Sequence, residues 1–467
     1  MRENLDLNDG SKVAIIGGGP AGSFFAHFIQ KIADEKGLKL SITIFDAKDF
    51  LQSGPHGCNL CAGVIAESLN QKLQEEGIFL PDKRIINRVE GYCLHVNQDS
   101  IFLSCAENKK DTIATVFRGN GPRYSTFPEI ISFDDFLLSW VQDRGAKLIS
   151  QPVWDIQLPE KKNDPVSLTF GKKETPHIFE ADLAVGAFGV NSYLMNRIQG
   201  LGFGYKSPST LITYQAELKC DQEEISKKFG NSIHVYMPKS KIIRYATIIP
   251  KGDYLTITLI GKKDASKDTF DEFLNLKPIK DKIPLSKSQC FCYPRITVSP
   301  SKNPFTHRLV IIGDASFSRH YKNGIESAFL TAKLAAEAAL YYGIDSSSFS
   351  THYYRQAKKS IIHDNYYGQL LFLINDIISS IPLVTQSHFS LTRTKNNASS
   401  KKLRLILWNM FTGNVSYKNI FKISLDFKLQ TSLLYNTISL LFKRFKNSIK
   451  KINRHLVDGN PARSSKK

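Results

Sequence analysis

Two hydrophobic periodicities alternate along the chain. Near the N-terminus a short apolar run, Val13–Ile16, is followed by a segment with helical spacing, Phe24–Ala33, and a second apolar run, Leu40–Phe45. Short continuous apolar runs separated by a helix predict buried parallel strands. The theme recurs at Ala181–Leu194, read as a strand running into a turn with Gly186 and Gly189. It recurs again at Leu309–Ile312, which leads through a loop to a long helix from Ile325. Ala328, Ala332, Ala335 and Ala339 line one small-residue face of that helix. Between Thr210 and Val298 the period changes to two. LITYQAEL, SIHVYM, RYATIIP and YLTITLIG are rich in β-branched and aromatic residues and predict an antiparallel sheet. The segment from Ile78 to Ile113 is expected to add strands to that layer.

From about Ser350 the spacing is helical again. Pro382 ends one helical stretch, and SHFSLTRTKNNASSKK reads as a linker or exposed loop. Near the end, Leu434, Ile438, Leu441, Phe445, Ile449, Ile452 and Leu456 recur at intervals of three or four. Lys443, Lys446, Lys450, Lys451 and Arg454 stand between them, which makes a basic amphipathic helix. Its apolar stripe has two possible partners, the protein body and an anionic membrane surface.

Composition narrows the class. The 467 residues suffice for two or three domains, and a charged fraction of 22% is that of an ordinary globular enzyme. The polar start, MRENLDLNDGSK, lacks the apolar run of a signal peptide. The longest apolar stretch, LLFLINDIISSIPLV from Leu370, is interrupted by Asn375, Asp376 and Pro382. Seven thinly scattered cysteines argue for a reducing cytosol, so a cytoplasmic location is expected, with membrane association through the last helix as an addition. The net charge of +19 favours anionic partners, but no nucleic-acid-reading motif accompanies it and none of that class is expected.

The first strand ends in Gly17, Gly19 and Gly22, spaced G-x-G-x-x-G, and the second ends at Asp46. Gly17 would make the tight turn, Gly19 would let backbone approach a pyrophosphate, and Gly22 would let the helix pack on the sheet. The helix start offers free N–H groups to phosphate, and Asp46 can accept from ribose hydroxyls. A second signal, Gly313-Asp314 followed by Asn323-Gly324, looks like the other contact of an extended FAD. Asp314 would bind the ribityl chain, and the helix starting near Gly324 and Ile325 would point its dipole at the flavin. No second G-x-G-x-x-G stands elsewhere, so a separate NAD(P)H domain is not expected.

The stretches GGGPAG, VGAFGVNS and GDASFSRHYKNGIESA resemble the flavoprotein superfamily that joins geranylgeranyl reductases to aromatic-ring hydroxylases. Geranylgeranyl reductases carry Cys-Gly-Gly after the second strand, and Cys61-Ala62-Gly63 is similar. They also carry a YxWxFP motif. Here the run from Tyr245 to Pro250 is its degraded counterpart, with Thr247 for Trp and Ile249 for Phe, and Tyr245 and Pro250 become substrate-site candidates. Two departures stand out. Phe188 replaces the Asp of the hydroxylases' third element, against direct NADPH docking. No arginine precedes SFDDFLL where relatives have one, and Arg118 and Arg123 are the candidates to replace it.

The resemblance implies that Cys61 lies near the flavin, where it would give a proton to a carbon that receives hydride or form a charge-transfer contact with the ring, with His56 and a nearby helix start tuning it; an inert buried thiol is the alternative. Cys58 would be its partner in a redox-labile disulfide or an inert buried thiol. No metal is expected, because the only other cysteine cluster, Cys290-Phe-Cys292, has the spacing of one strand face. The expected fold is α/β, a Rossmann-like FAD-binding domain from segments 1–205 and 301–345. Segment 206–300 would insert an antiparallel substrate domain, and 346–467 would form a helical, basic C-terminal region. The expected activity is hydride transfer from FAD to a C=C bond of a hydrophobic isoprenoid- or polyketide-like substrate, with NAD(P)H and ferredoxin both open as reductant. A monooxygenase or halogenase on the same scaffold, and a non-catalytic flavoprotein that binds a lipid-associated partner, are the alternatives.

Overall fold

The computed structural model describes residues 5–97, 99–105, 111–283, 288–321, 323–394 and 397–458, the last eight by backbone only. Lys12–Ile16 pairs in parallel with Ser41–Phe45 on one side and Leu183–Gly186 on the other. Leu309–Ile311 and Lys147–Ile149 extend this sheet in parallel, and the short strand Phe305–Thr306 closes one edge antiparallel. The strands are continuous apolar runs because helices cover them. Helix Pro20–Glu35 lies against helix Gly324–Tyr341, whose Ala332, Ala335 and Ala339 are buried. The small side chains let the two helices approach closely, and Phe329 sits edge-on to both Phe24 and Phe28, with centroids 5.3 and 5.1 Å away. Thus residues far apart in sequence build one α/β layer.

The second large sheet has seven strands in the order Ser288–Cys292, Tyr214–Lys219, Tyr254–Gly261, Ile243–Lys251, Ser232–Met237, Gly91–Val96 and Asp99–Ser104. Strands from the segment before Ile113 do join it, as expected. The sheet is not wholly antiparallel: Ser232–Met237 runs parallel to Gly91–Val96. One face packs on helices Gln222–Phe229 and Lys267–Leu274 through Leu218, Ile225, Ile257 and Phe273. The other faces a cavity.

Helices from the C-terminal region roof that cavity. The long helical stretch Ser346–Ser380 bends by 105° into Pro382–Arg393, with Pro382 starting the second helix rather than merely stopping the first. Helices Ala398–Thr412 and Tyr417–Ser424 follow. The expected linker between Ser387 and Lys402 is therefore corrected. Most of it is helix, and its polar residues are spent between helices. Ser387 Oγ donates to the Leu433 carbonyl at 3.2 Å, Ser400 Oγ donates to that of Thr392 at 3.3 Å, and Asn397 caps helix Ala398–Thr412. Only the break around Thr394–Asn397 remains, of which Lys395 and Asn396 lie outside the described residues.

Candidate active site

A continuous cavity of about 1040 Å³ runs from the glycine turn into the space between the seven-stranded sheet and the helical roof. At its polar end, Gly17 has φ +112°, and a Cβ there would stand 2.5 Å from the Ala187 carbonyl oxygen. A Cβ on Gly22 would stand 1.9 Å from the Gly17 carbonyl oxygen, so this glycine serves the packing of helix on strand and does not line the cavity. Gly19 does line it, at the cap of helix Pro20–Glu35. No side chain caps that helix and no acid occupies its first turn, which leaves its N–H groups and positive dipole end open to an anion.

Asp46 follows strand Ser41–Phe45 and accepts from the Gly18 N–H at 2.7 Å and the Lys48 N–H at 2.8 Å. Burial nevertheless holds its carboxyl above the usual range. Farther along, Asp314 lines the cavity at the turn after Leu309–Ile311. Its Oδ1 is buried with no hydrogen-bond partner among the described residues, and burial pushes its carboxyl up. Such an orphaned acceptor implies a donor that the described residues do not supply. Gly324 and Ile325 also line the cavity at the start of their helix, behind Asn323 in left-handed conformation. Gly313 does not line it. With φ +65° and the Ala21 methyl 2.9 Å from where its Cβ would be, it shapes the turn and lets it close on the first helix. Its expected cofactor contact is thus corrected to a packing role.

Arg118 lines the cavity with its guanidinium held by buried Asp134, Nε to Oδ1 at 2.5 Å and Nη2 to Oδ2 at 2.9 Å. Arg123 is exposed and is not among the lining residues. Arg319, which sequence reasoning missed, lines the cavity and donates to the Gly413 and Val415 carbonyls, tying the Asp314 loop to the helical roof. Nothing in its local sequence marks it, because its partners lie about a hundred residues downstream.

The cysteine loop forms the wall between the two ends. Cys61 lines the cavity, and its Sγ accepts from the Gly63 N–H at 3.5 Å. Gly63, with φ +65°, leaves no room for a side chain: a Cβ would stand 2.1 Å from the Val116 carbonyl oxygen. His56 is exposed and does not line the cavity. Arg118 lines this wall, and buried Lys251 stands behind Gly63, its Nζ donating to the Val116 carbonyl at 3.0 Å while burial pulls its pKa down. Cys58 and Cys61 are both free thiols here, and burial pushes the Cys58 thiol up. The structure also brings together what the sequence keeps apart: Cys58, Cys61, Cys290 and Cys292 all border one small cavity of about 30 Å³ behind the loop.

Beyond Cys61 the lining is apolar, and strand alternation selects it. Tyr245, Thr247 and Ile249 point into the cavity, as do Tyr92, Leu94 and Val96, and Ile233, Val235 and Met237. Pro250 falls on the opposite face, paired with Leu255, so its expected place in the substrate site is corrected by the pleat. The same alternation explains the motif, since positions one, three and five of YxWxFP share a face. Phe372, Phe389, Ile406, Met410 and Phe421 close the sleeve from the roof.

No family model matches the chain. It is 22% identical over 253 residues to a geranylgeranyl diphosphate reductase from Synechocystis, a match covering 53% of this chain and 54% of the relative, about half the length of each. Among solved structures, a flavoprotein/dehydrogenase from Cytophaga hutchinsonii aligns over 92% of this chain and 100% of its own, with a TM-score of 0.64 and 15% identity. A flavin-dependent brominase aligns over 95% and 99%, at 0.58 and 14%. A geranylgeranyl bacteriochlorophyll reductase-like protein from Thermoplasma acidophilum aligns over 96% and 100%, at 0.54 and 16%. The uncapped glycine turn, Asp46 and the orphaned Asp314 oxygen fit an extended FAD, and the chain has the fold of the FAD-dependent oxidoreductases that includes reductases, halogenases and hydroxylases.

Proposed function

We propose that the chain reduces a C=C bond in a long apolar substrate of isoprenoid or polyketide type. The observation that carries this reading is the continuity of the cavity: a polar channel suited to FAD opens past Cys61 directly into an apolar sleeve. When bound, reduced FAD supplies the hydride. Gly17, Gly19 and the start of helix Pro20–Glu35 bind the pyrophosphate, and Asp46 binds the adenosine ribose. Asp314 accepts from the ribityl chain, and the positive end of helix Gly324–Tyr341 stabilises negative charge on the flavin. Arg118, oriented by Asp134, adds a fixed donor to the same channel. Cys61 gives a proton from Sγ to the carbon that does not take the hydride, since an isolated alkene needs an acid to react. Solvent returns the proton to Sγ.

The reading is tested without oxygen. Protein loaded with FAD and reduced with dithionite is given a lipid bearing an unsaturated isoprenoid chain, and mass spectrometry reads the product. The expected result is a gain of two hydrogens per double bond, slowed roughly 10²–10⁴-fold in Cys61→Ala with flavin content unchanged. The likeness to a brominase and to hydroxylases favours a second reading, oxygen-dependent hydroxylation or halogenation. A substrate untouched without oxygen and modified once air is admitted would establish that one instead.

A further inference from the structure

The last helix, Phe427–Asp458, is attached along one side only. On that side Leu429 and Leu433 are buried, Asn436 Nδ2 donates to the Ser387 carbonyl at 2.8 Å, and Arg444 Nη2 donates to Gln386 Oε1 at 2.7 Å. At about 100° per residue, Phe427, Leu434, Ile438, Leu441, Phe445 and Ile449 fall on the opposite side. All six are between 44% and 80% exposed. The stripe therefore points away from the body, and the body is not what covers it. By the same count Lys446 stands about 100° from the middle of the stripe, with Lys450 and Lys443 farther round on the polar side, and no acid stands between Phe427 and Val457.

The stripe starts at the cavity. Leu425 and Ile374 both line the cavity and are exposed, so they mark an opening, and Phe427 stands two residues beyond Leu425. On helix His363–Ser380, which carries Ile374, Leu370, Leu373 and Ile377 are exposed as well. The last helix thus carries an uncovered apolar stripe and only basic charges, and it begins beside an exposed apolar edge of the cavity.

We propose that this side docks on the surface of an anionic lipid bilayer. The stripe sits below the head groups, Lys446 reaches the phosphates while Lys443 and Lys450 add attraction at longer range, and the cavity mouth is held near the membrane so that an apolar substrate enters from the bilayer. A bilayer suits the face better than a second copy of this chain, which would offer its own unpaired lysines and no acid on this helix. The helix lies on the membrane rather than across it, since no single described helix is long and apolar enough to span. Only the delivery of substrate rests on the reductase reading. The docking is measured without turnover, so either can fail alone.

Full-length, flavin-loaded protein is mixed with vesicles of phosphatidylcholine, with and without phosphatidylglycerol, and floated on a density gradient. The expected result is flotation with the anionic vesicles only, lost as salt rises. Leu441→Glu with Phe445→Glu should lower the apparent affinity at least ~100-fold, and Lys443→Gln, Lys446→Gln and Lys450→Gln by roughly 5-fold each. Both sets lie on exposed side chains, so the flavin spectrum and melting temperature should stay as in the parent. The proposal is overturned by a parent protein that does not float, or by variants that float as well as the parent. It is equally overturned by light scattering that shows a dimer dissolved by the glutamates while vesicles are ignored.

Discussion

Arg118 grips both carboxylate oxygens of Asp134, and Asp134 also receives the side-chain amide of Asn59 from the cysteine loop. Asp134 is fully buried at the start of helix Phe133–Gln142, so the acid fixes an arginine, a helix and the Cys58–Cys61 loop at once. Asp134→Ala would leave a buried guanidinium without its counter-charge. The expected loss is about 3–5 kcal/mol of stability, read from urea unfolding of the loaded protein, with a smaller loss for Asp134→Asn.

The two glycines of the turn should separate folding from cofactor binding. A Cβ on Gly22 meets rigid backbone at 1.9 Å, so Gly22→Ala should unseat the first helix and yield poorly soluble protein. A Cβ on Gly19 meets only the Asn59 side-chain amide, at 3.0 Å, which can move. Gly19→Ala should keep its melting temperature as apoprotein and bind FAD more weakly, as measured by flavin fluorescence titration.

Thr247 and Ile249 hold the space that larger rings fill in the related motif. Thr247→Trp and Ile249→Phe should narrow the sleeve beside Tyr245. Overpacking of about 1–3 kcal/mol is the upper expectation for stability, since the side chains grow into open cavity. Turnover or binding of the longest chains should fall first, and a series of isoprenoid lengths would show the shift.

Acid should destabilise the protein through its buried histidines. Burial pulls the pKa of His27 from 6.5 down to about 4, with Glu76 opposing and Arg144 and Lys31 assisting. His320 also falls to about 4, through burial and then Arg244. The unfolded chain protonates these rings near 6.5 and the folded chain only near 4, so folding stability is complete above that window and drains away as pH falls through it. The slope is up to about 1.4 kcal/mol per pH unit for each ring. Urea midpoints at pH 7 and pH 5 should show it, and His27→Gln should reduce it.

The nucleotide-binding half was legible because its signals are local. Strand, glycine turn, helix and terminal acid follow one another, so Gly17, Gly19 and Asp46 could be placed from spacing alone. Asp314 and Gly324 were legible for the same reason. Gly313 and Gly22 were legible as turn residues, but whether a glycine faces ligand or neighbouring backbone depends on contacts with distant residues. Pro250 shows the cost of reading a motif without its pleat, because one step along the strand moved it to the far face. The roof was the least legible. Ser387, Thr392 and Ser400 read as loop composition, yet they are buried where helices meet, and hydroxyls bonded to backbone carbonyls leave no hydrophobic period. The meeting of Cys58 and Cys61 with Cys290 and Cys292 required the topology of the seven-stranded sheet.

The parallel pairing of Gly91–Val96 with Ser232–Met237 matters for how this molecule is made. Gly91 is laid against Ser232, a partner synthesised roughly 140 residues later. The early strands therefore leave the ribosome with an unfilled edge, and the nucleotide-binding layer cannot be completed and sealed before the substrate layer exists. A single excision would not yield a transplantable substrate module, and chimaeras joined between these strands should misassemble unless both halves come from the same parent.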